Sequence, residues 1–379
     1  MIRISCNNLR QHGGAERYIL DVVGELNRRG AQVECFAQAF DVNIPEYKFV
    51  IPRSLGLRII PHKLRDWWRD NSLTVALKNL PPRPLLAFNR VRQADIAICM
   101  GTHRGWLVVN GKRPGLGDRE QIERESDCYR HATHVVAHSE VLALELQKLY
   151  GLSESKIIVL HPPVRRERFH EVSAERRVAL REAYGFSDDE AILVLPSMDH
   201  KRKGLSEIVA AIETSGLRLR LIVAGRKAQS TASVTSLGYV VDIENLYRAA
   251  DFCILASKYE PFGLGAVESV LCGTPAIVSS CVGALEVLSP EAVMVYDSAR
   301  PGDLAGTLRT AYDRARTGRA RLEGPSKHLT HELELSEHAT RLLELVDDVE
   351  RSNPRFRHAK SGGDHIAAAT EPDGGAPRV

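Results

Sequence analysis

The chain has 379 residues, 44% hydrophobic and 26% charged, with a formal net charge of +3. That length is too great for one small core and suits two domains, and the mixture of apolar and charged residues is that of a soluble globular protein. There is no run of eighteen uncharged apolar residues for a transmembrane helix and no apolar stretch behind Met1 for a signal peptide, so a cytoplasmic protein is expected.

In chain order, short apolar runs alternate with helical patterns. Ile2-Arg3-Ile4-Ser5 reads as a strand, and Gly13-Gly14 then open a helix whose apolar face is Ile19, Val22, Val23 and Leu26, closed by Gly30. A strand follows at 33–36. Ser139 suits the cap of a helix carrying Leu142, Leu146 and Leu149, with Gly151 past its end and another strand at 157–160. The second half predicts strands at 192–195, 220–224, 252–256 and 276–279, with helices at 205–213, 243–250 and 264–272 between them. Such alternation implies parallel strands joined by helical crossovers, and two such blocks make an α/β protein of two doubly wound, Rossmann-like domains. The expected division is 1–165, 166–330, a helix at 331–351 and a disordered tail at 352–379, which is rich in Gly, Pro, Ala and charge.

Seven cysteines stand at 6, 35, 99, 128, 253, 272 and 281, mostly in apolar runs and without C-x-x-C spacing, which reads as reduced buried thiols. No His/Cys/Asp set has metal-ligand spacing, and no Asp-X-Asp pair is present to hold a diphosphate through a divalent ion, so no metal and no cofactor are expected. Charge is uneven: residues 1–165 hold 24 Lys/Arg against 17 Asp/Glu, a balance of +7, and the remainder carries −4. Much of the excess lies in 48–92, which also contains Trp67-Trp68, Leu85-Leu86 and Phe88. Arg65, Trp67, Trp68 and Arg69 are therefore candidate contacts to an anionic membrane or to a phosphorylated glycolipid, although the segment fits equally a solvated charged face with its tryptophans in the core. No nucleic-acid-binding motif is present.

Ligands of open parallel sheets bind beyond the carboxyl ends of the strands, where helix N-termini present free N–H groups. Four turns there are informative. Gln11-His12-Gly13-Gly14-Ala15-Glu16-Arg17 lets a ligand approach the backbone closely, but it is not the G-x-G-x-x-G of dinucleotide enzymes. In Ser197-Met198-Asp199-His200-Lys201-Arg202-Lys203-Gly204, three cations at the mouth of a sheet suit a diphosphate, Arg202 gripping two oxygens and Lys203 acting as a point charge. In Lys258-Tyr259-Glu260-Pro261-Phe262-Gly263-Leu264-Gly265, Glu260 sits in a turn and Glu268 inside the next helix. Two carboxylates flanking free N–H groups match a ligand with two sugars around a diphosphate, a nucleotide-sugar. The same spacing fits a loop charge and an exposed helix residue. Finally, His103 in Gly101-Thr102-His103-Arg104-Gly105-Trp106 suits orientation of a sugar hydroxyl, or a structural role.

Taken together, Glu260-x7-Glu268 with Phe262-Gly263-Leu264 inside it, Gly13-Gly14-Ala15-Glu16-Arg17, Val135-Val136-Ala137-His138-Ser139, Arg202-Lys203-Gly204, the segment 242–251 and Cys272-Gly273-Thr274-Pro275 resemble, in order, the motifs of the family 4 retaining glycosyltransferases. Leu160-His161-Pro162-Pro163 and the basic loop are similar to those of enzymes that add sugars to lipopolysaccharide core. The resemblance covers about residues 1–345 and implies a GT-B fold, with an acceptor-binding N-terminal domain, a donor-binding C-terminal domain and a last helix returning to the N-terminal one. It implies that Arg202 and Lys203 bind the donor diphosphate and that Glu268 accepts from ribose hydroxyls. Glu260 and the backbone of Phe262, Gly263 and Leu264 then hold the transferred sugar, and Gly13 and Gly14 border the phosphates. The family's usual N-domain histidine has no clear counterpart; His103 is the candidate and Asn110 a second. The implied reaction is transfer of a hexose to a glycolipid or polysaccharide, with a nucleotide-sugar epimerase or hydrolase, or a non-catalytic binding protein, as alternatives.

Overall fold

The computed structural model describes residues 1–56 and 65–357. Two parallel sheets carry the architecture. The first has the strand order Val50–Ser54, Val33–Ala37, Ile2–Ser5, Leu85–Ala87, Ile96–Cys99, His134–Ala137, Ile157–Val159. The second has the order Val234–Gly238, Leu219–Gly225, Ala191–Ser197, Phe252–Leu255, Ala276–Ser279, Val293–Tyr296. Both are covered on two faces, so their strands read as near-continuous apolar runs. Along Ala191–Ser197, Ala191, Leu193 and Leu195 enter one core, and Ile192 and Val194 the other.

Strand order reverses at one place in each sheet. In the first, the chain leaves Ile2–Ser5 for one edge and returns to its other side as Leu85–Ala87. In the second, Ala191–Ser197 and Phe252–Leu255 form the corresponding neighbours, with Leu193 opposite Phe252. Crossovers depart to opposite faces there and leave a crevice at the carboxyl ends.

Strands Val50–Ser54, Leu85–Ala87, Val234–Gly238 and Val293–Tyr296 and helices Arg65–Lys78, Leu116–His131 and Asp303–Arg316 were not expected from the sequence. Leu85–Ala87 is too short for periodicity, Val234–Gly238 is a polar edge, and Leu116–His131 buries only Glu125, Cys128 and Tyr129. Leu85, Leu86 and Phe88 are core residues and not part of a membrane-facing patch.

The helix Leu335–Ser352 returns to the first domain. Leu342, Leu345, Val346 and Val349 join the core under the first helix, Gly14–Arg28. His338 Nε2 pairs with Tyr18 Oη at 2.8 Å, and His134 Nε2 with Asp348 at 2.8 Å. The expected tail is ordered at its start: Pro354–Arg357 is a short helix because Phe356 is apolar and buries itself in the same core. Residues 358–379 of that tail lie outside the described residues. Among the described residues no helix is long and apolar enough to cross a membrane.

Candidate active site

The two turns at the second sheet's crevice fit together through glycine. Gly204 has φ +71 and starts the helix Leu205–Ser215; a Cβ there would lie 2.3 Å from the carbonyl oxygen of Ala256. Gly263 has φ +99 and starts the helix Leu264–Leu271; a Cβ there would lie 2.8 Å from Val282 Cγ1. Only glycine supplies that backbone without a clash. The close packing brings the basic loop onto the acidic one. Arg202 Nη1 donates to Glu260 Oε2 at 3.1 Å, Lys203 Nζ donates to the same oxygen, and Ser257 Oγ adds a third bond at 3.0 Å. Burial pushes the Glu260 carboxyl up, but Lys203 and Arg202 outweigh it and hold the group below its ordinary value. Glu268, one turn into its helix and 3% exposed, accepts from Tyr247 Oη at 3.4 Å and pairs with Arg17 of the other domain.

Facing these groups, Gly13 and Gly14 begin the first helix, and Glu16 turns back to accept from the Gly13 N–H at 3.2 Å. The approach is close: a Cβ on Gly13 would sit 3.7 Å from Met198 of the basic loop. One turn on, Arg17 crosses to Glu268 with its guanidinium over the Phe169 ring, 5.4 Å from the centroid, and burial lowers its pKa.

His103 starts the helix His103–Val109, capped by Thr102, whose side chain accepts from Gly105 N. Its Nε2 lies 2.7 Å from Asp118 Oδ1, and its ring stacks on Trp106. The N–H of Gly115 and then His103 hold Asp118 below the usual carboxylate range. The fully buried Glu125 accepts from the backbone N–H of His103 at 3.0 Å, so a carboxylate sits on this helix N-terminus. Tyr259, the neighbour of Glu260, reaches into this corner: its hydroxyl accepts from Thr102 N at 2.8 Å and donates to Glu145 Oε1 at 2.8 Å. Glu286 makes a second bridge, accepting from Glu140 N at 2.8 Å and Val141 N at 3.0 Å on the other domain.

One cavity of about 960 Å³ between the domains is lined by His103, Gly13, Gly14, Arg202, Lys203, Glu260, Phe262, Gly263, Leu264 and Glu268, so these sequence-derived residues converge. Asn110 does not line it; its exposed side chain donates back to the Trp106 carbonyl at 2.8 Å. Trp67 and Trp68 are 60% and 42% exposed, on the outside and not in the core. Arg69 corrects the grouping with them. It is 5% exposed, turns inward to Asn7 Oδ1 at 3.3 Å and the Arg90 carbonyl at 3.2 Å, and lines the cavity, because a residue two positions from Trp67 points to a different side of the helix. Arg65 begins the same helix; its side chain lies outside the described residues. Sequence reading assigned no role to Arg17, Asp118, Glu145, Tyr247, Tyr259 or Glu286. Arg17, Tyr247 and Tyr259 lie inside the motifs above, so for these three a signal is present in the sequence. Among the described residues no group of three or more His, Cys, Asp and Glu is placed to hold a metal ion.

Residues 12–168 match the family described as Glycosyltransferase Family 4, and residues 189–314 match Glycosyl transferases group 1. A probable transglycosylase of Burkholderia thailandensis is 44% identical over 349 residues, covering 91% of this chain and 96% of the relative. Among solved structures, WaaG, a glycosyltransferase involved in lipopolysaccharide biosynthesis, superposes with a TM-score of 0.76 at 16% identity over 93% of this chain and 100% of that one. HepE of Anabaena, solved with UDP and glucose, does so with a TM-score of 0.65 at 16% identity, over 92% and 100%. With both halves matched, a close relative over nearly its whole length and the GT-B fold in place, the chain belongs to the family 4 glycosyltransferases.

Proposed function

We propose that the chain transfers a hexose or related sugar from a nucleoside-diphosphate donor to a glycolipid or polysaccharide acceptor, lipopolysaccharide core being one such acceptor, with retention at the anomeric carbon and without a metal. The observation that carries the reading is the convergence of Arg202, Lys203, Glu260 and Glu268 with Gly13 and Gly14 on one cavity. The relative solved with UDP supports the donor class.

In this reading Arg202 and Lys203 take the diphosphate, which releases Glu260 from a pairing that now occupies both cations. Glu260 then accepts from hydroxyls of the transferred sugar beside the backbone of Phe262, Gly263 and Leu264. Glu268 accepts from the ribose, sharing its carboxylate with Arg17. The acceptor hydroxyl oxygen bonds to the anomeric carbon on the face the diphosphate leaves. The old C–O bond breaks with its electron pair passing to the phosphate, and that phosphate takes the acceptor's proton. No protein nucleophile is needed; the chain supplies charge stabilisation and orientation. His103, held by Asp118, orients a sugar hydroxyl. Trp67 and Trp68 seat the chain peripherally on the anionic inner face of the cell membrane.

Donor consumption measured with and without a glycolipid extract tests the reading. Strict acceptor dependence supports transfer; consumption at the same rate without acceptor replaces it with a hydrolase or epimerase.

A further inference from the structure

The first sheet has a switch-point crevice of its own, and of the donor groups assigned above only Gly13 and Gly14 come from that domain. Asn7 stands two residues beyond Ile2–Ser5 and Asn89 two residues beyond Leu85–Ala87, the strands that flank the reversal. Asn89 Nδ2 reaches Asn7 Oδ1 across it at 3.5 Å, and both line the inter-domain cavity. Two helices bring arginines to the same wall: Arg69 on Arg65–Lys78 and Arg124 on Leu116–His131. The side chains are 6% and 12% exposed, so each guanidinium is held in a defined place.

The charges on this wall are sorted. Arg69 and Arg124 share Asp70, at 3.8 Å each, Arg124 also pairs with Glu120 at 2.7 Å, and Arg90 pairs with Glu125 at 2.5 Å. The three arginines border the cavity, whereas Asp70, Glu120 and Glu125 do not. The cations thus line the ligand space, and the carboxylates named with them do not. Planar guanidinium forks suit phosphate oxygens. Among the described residues Asn89 Oδ1, in a residue 7% exposed, is buried and has no hydrogen-bond partner. A buried acceptor left open in this way calls for a donor, and a saccharide hydroxyl is one.

We propose that this wall is the acceptor subsite and that the acceptor is a phosphorylated saccharide or polyol, its phosphate between Arg69 and Arg124 and a hydroxyl on Asn89. The word acceptor rests on the transferase reading; the phosphate site does not. A sugar phosphate and the headgroup of a phosphoglycolipid share this chemistry.

Titration calorimetry on the full chain separates these points. UDP and other nucleoside diphosphates are titrated first, and their binding reads the transferase assignment alone. With the tightest of them saturating, inorganic phosphate, glucose 6-phosphate, dihexanoyl-phosphatidylinositol and glucose are compared at equal ionic strength. Binding of the phosphate-bearing probes at least tenfold tighter than glucose is expected, weakened at least tenfold in Arg124→Gln. Binding of the lipid probe alone assigns the headgroup source; binding of glucose 6-phosphate as well assigns the free sugar phosphate. If Arg124→Gln no longer binds nucleotide, Arg124→Lys, which keeps the charge and loses the fork, replaces it. No phosphate-bearing probe binding tighter than glucose, or equal binding in wild type and variant, overturns the proposal.

Discussion

The two walls of the cleft are built in opposite ways. On the C-terminal side, Arg202, Lys203 and Glu260 come from adjacent turns of neighbouring strands and pair with one another. On the N-terminal side, Asn7, Arg69, Asn89, His103 and Arg124 come from five separate segments, and Asp70 and Glu120, which pair with the arginines, do not line the cavity. A wall whose opposite charges meet in the open must exchange partners when a ligand arrives. A wall whose named carboxylates lie off the cavity takes a ligand with less of that exchange. On the proposed assignment of the two walls, the difference predicts that donor binding rearranges side chains while acceptor binding fills a prepared surface.

The largest effect that would break this contrast is at Lys203. In the proposed reaction Lys203→Ala removes a cation from the place where charge develops on the diphosphate, and the expected rise in barrier is about 2–4 kcal/mol, larger than the loss of folding stability because Arg202 and Ser257 still hold Glu260. Steady-state kinetics beside a urea melt check it; wild-type turnover in a folded variant removes Lys203 from the donor site.

Tyr259→Phe tests whether the walls are coupled. Its hydroxyl joins Glu145 to the Thr102 N–H from beside Glu260, and removal leaves buried polar groups unpaired, worth about 1–3 kcal/mol. Turnover should fall while the affinity for nucleotide stays, a split that kcat and nucleotide titration read separately. A matching drop in nucleotide affinity would assign Tyr259 to donor binding instead.

A pH series sharpens the comparison from the N-terminal side. Burial, with His338 and His161 adding to it, lowers the pKa of His138 to about 3, and burial lowers that of His338 to about 4. Folding therefore excludes protons that the unfolded chain takes up below its ordinary value of 6.5. Stability is full above that pH and declines as pH falls towards about 4, by up to about 1.4 kcal/mol per pH unit for each histidine. Hydrogen exchange should show Leu335–Ser352 loosening before the second sheet. Simultaneous loss in both would place the acid-sensitive groups elsewhere.

The smallest effect concerns the outer surface. Trp67→Ala and Trp68→Ala should change stability by no more than about 0.5 kcal/mol, since both side chains are exposed, yet reduce co-sedimentation with phosphatidylglycerol vesicles at low salt. Undiminished co-sedimentation removes the tryptophans from the membrane reading.

The alternation of apolar runs and helical periods made the doubly wound architecture legible from sequence. Gly204 and Gly263 marked the two turns at the second sheet's crevice because each lies where a strand end meets a helix start, and a side chain does not fit there. What escaped was whatever depended on three-dimensional assembly. Asn7 and Asn89 are 82 residues apart and become neighbours only when Ile2–Ser5 and Leu85–Ala87 pair. Arg69 sits beside Trp67 and Trp68 in sequence, and its inward turn follows from helix phase, which the polar Arg65–Lys78 does not display in its apolar pattern. Arg17 and Tyr259 were in view, but their partners Glu268, Thr102 and Glu145 belong to the opposite domain.

The return of Leu335–Ser352 to the first core has a consequence for the order in which the protein matures during synthesis. Leu342, Leu345, Val346, Val349 and Phe356 complete a core begun by Ile4, Val22 and Leu26. A ribosome delivers those residues only after the whole second sheet has emerged, so the domain made first is finished last, and the one made second closes on its own strands without waiting. Nascent chains stopped before residue 335 should carry a settled second domain joined to a first domain still missing one side of its core.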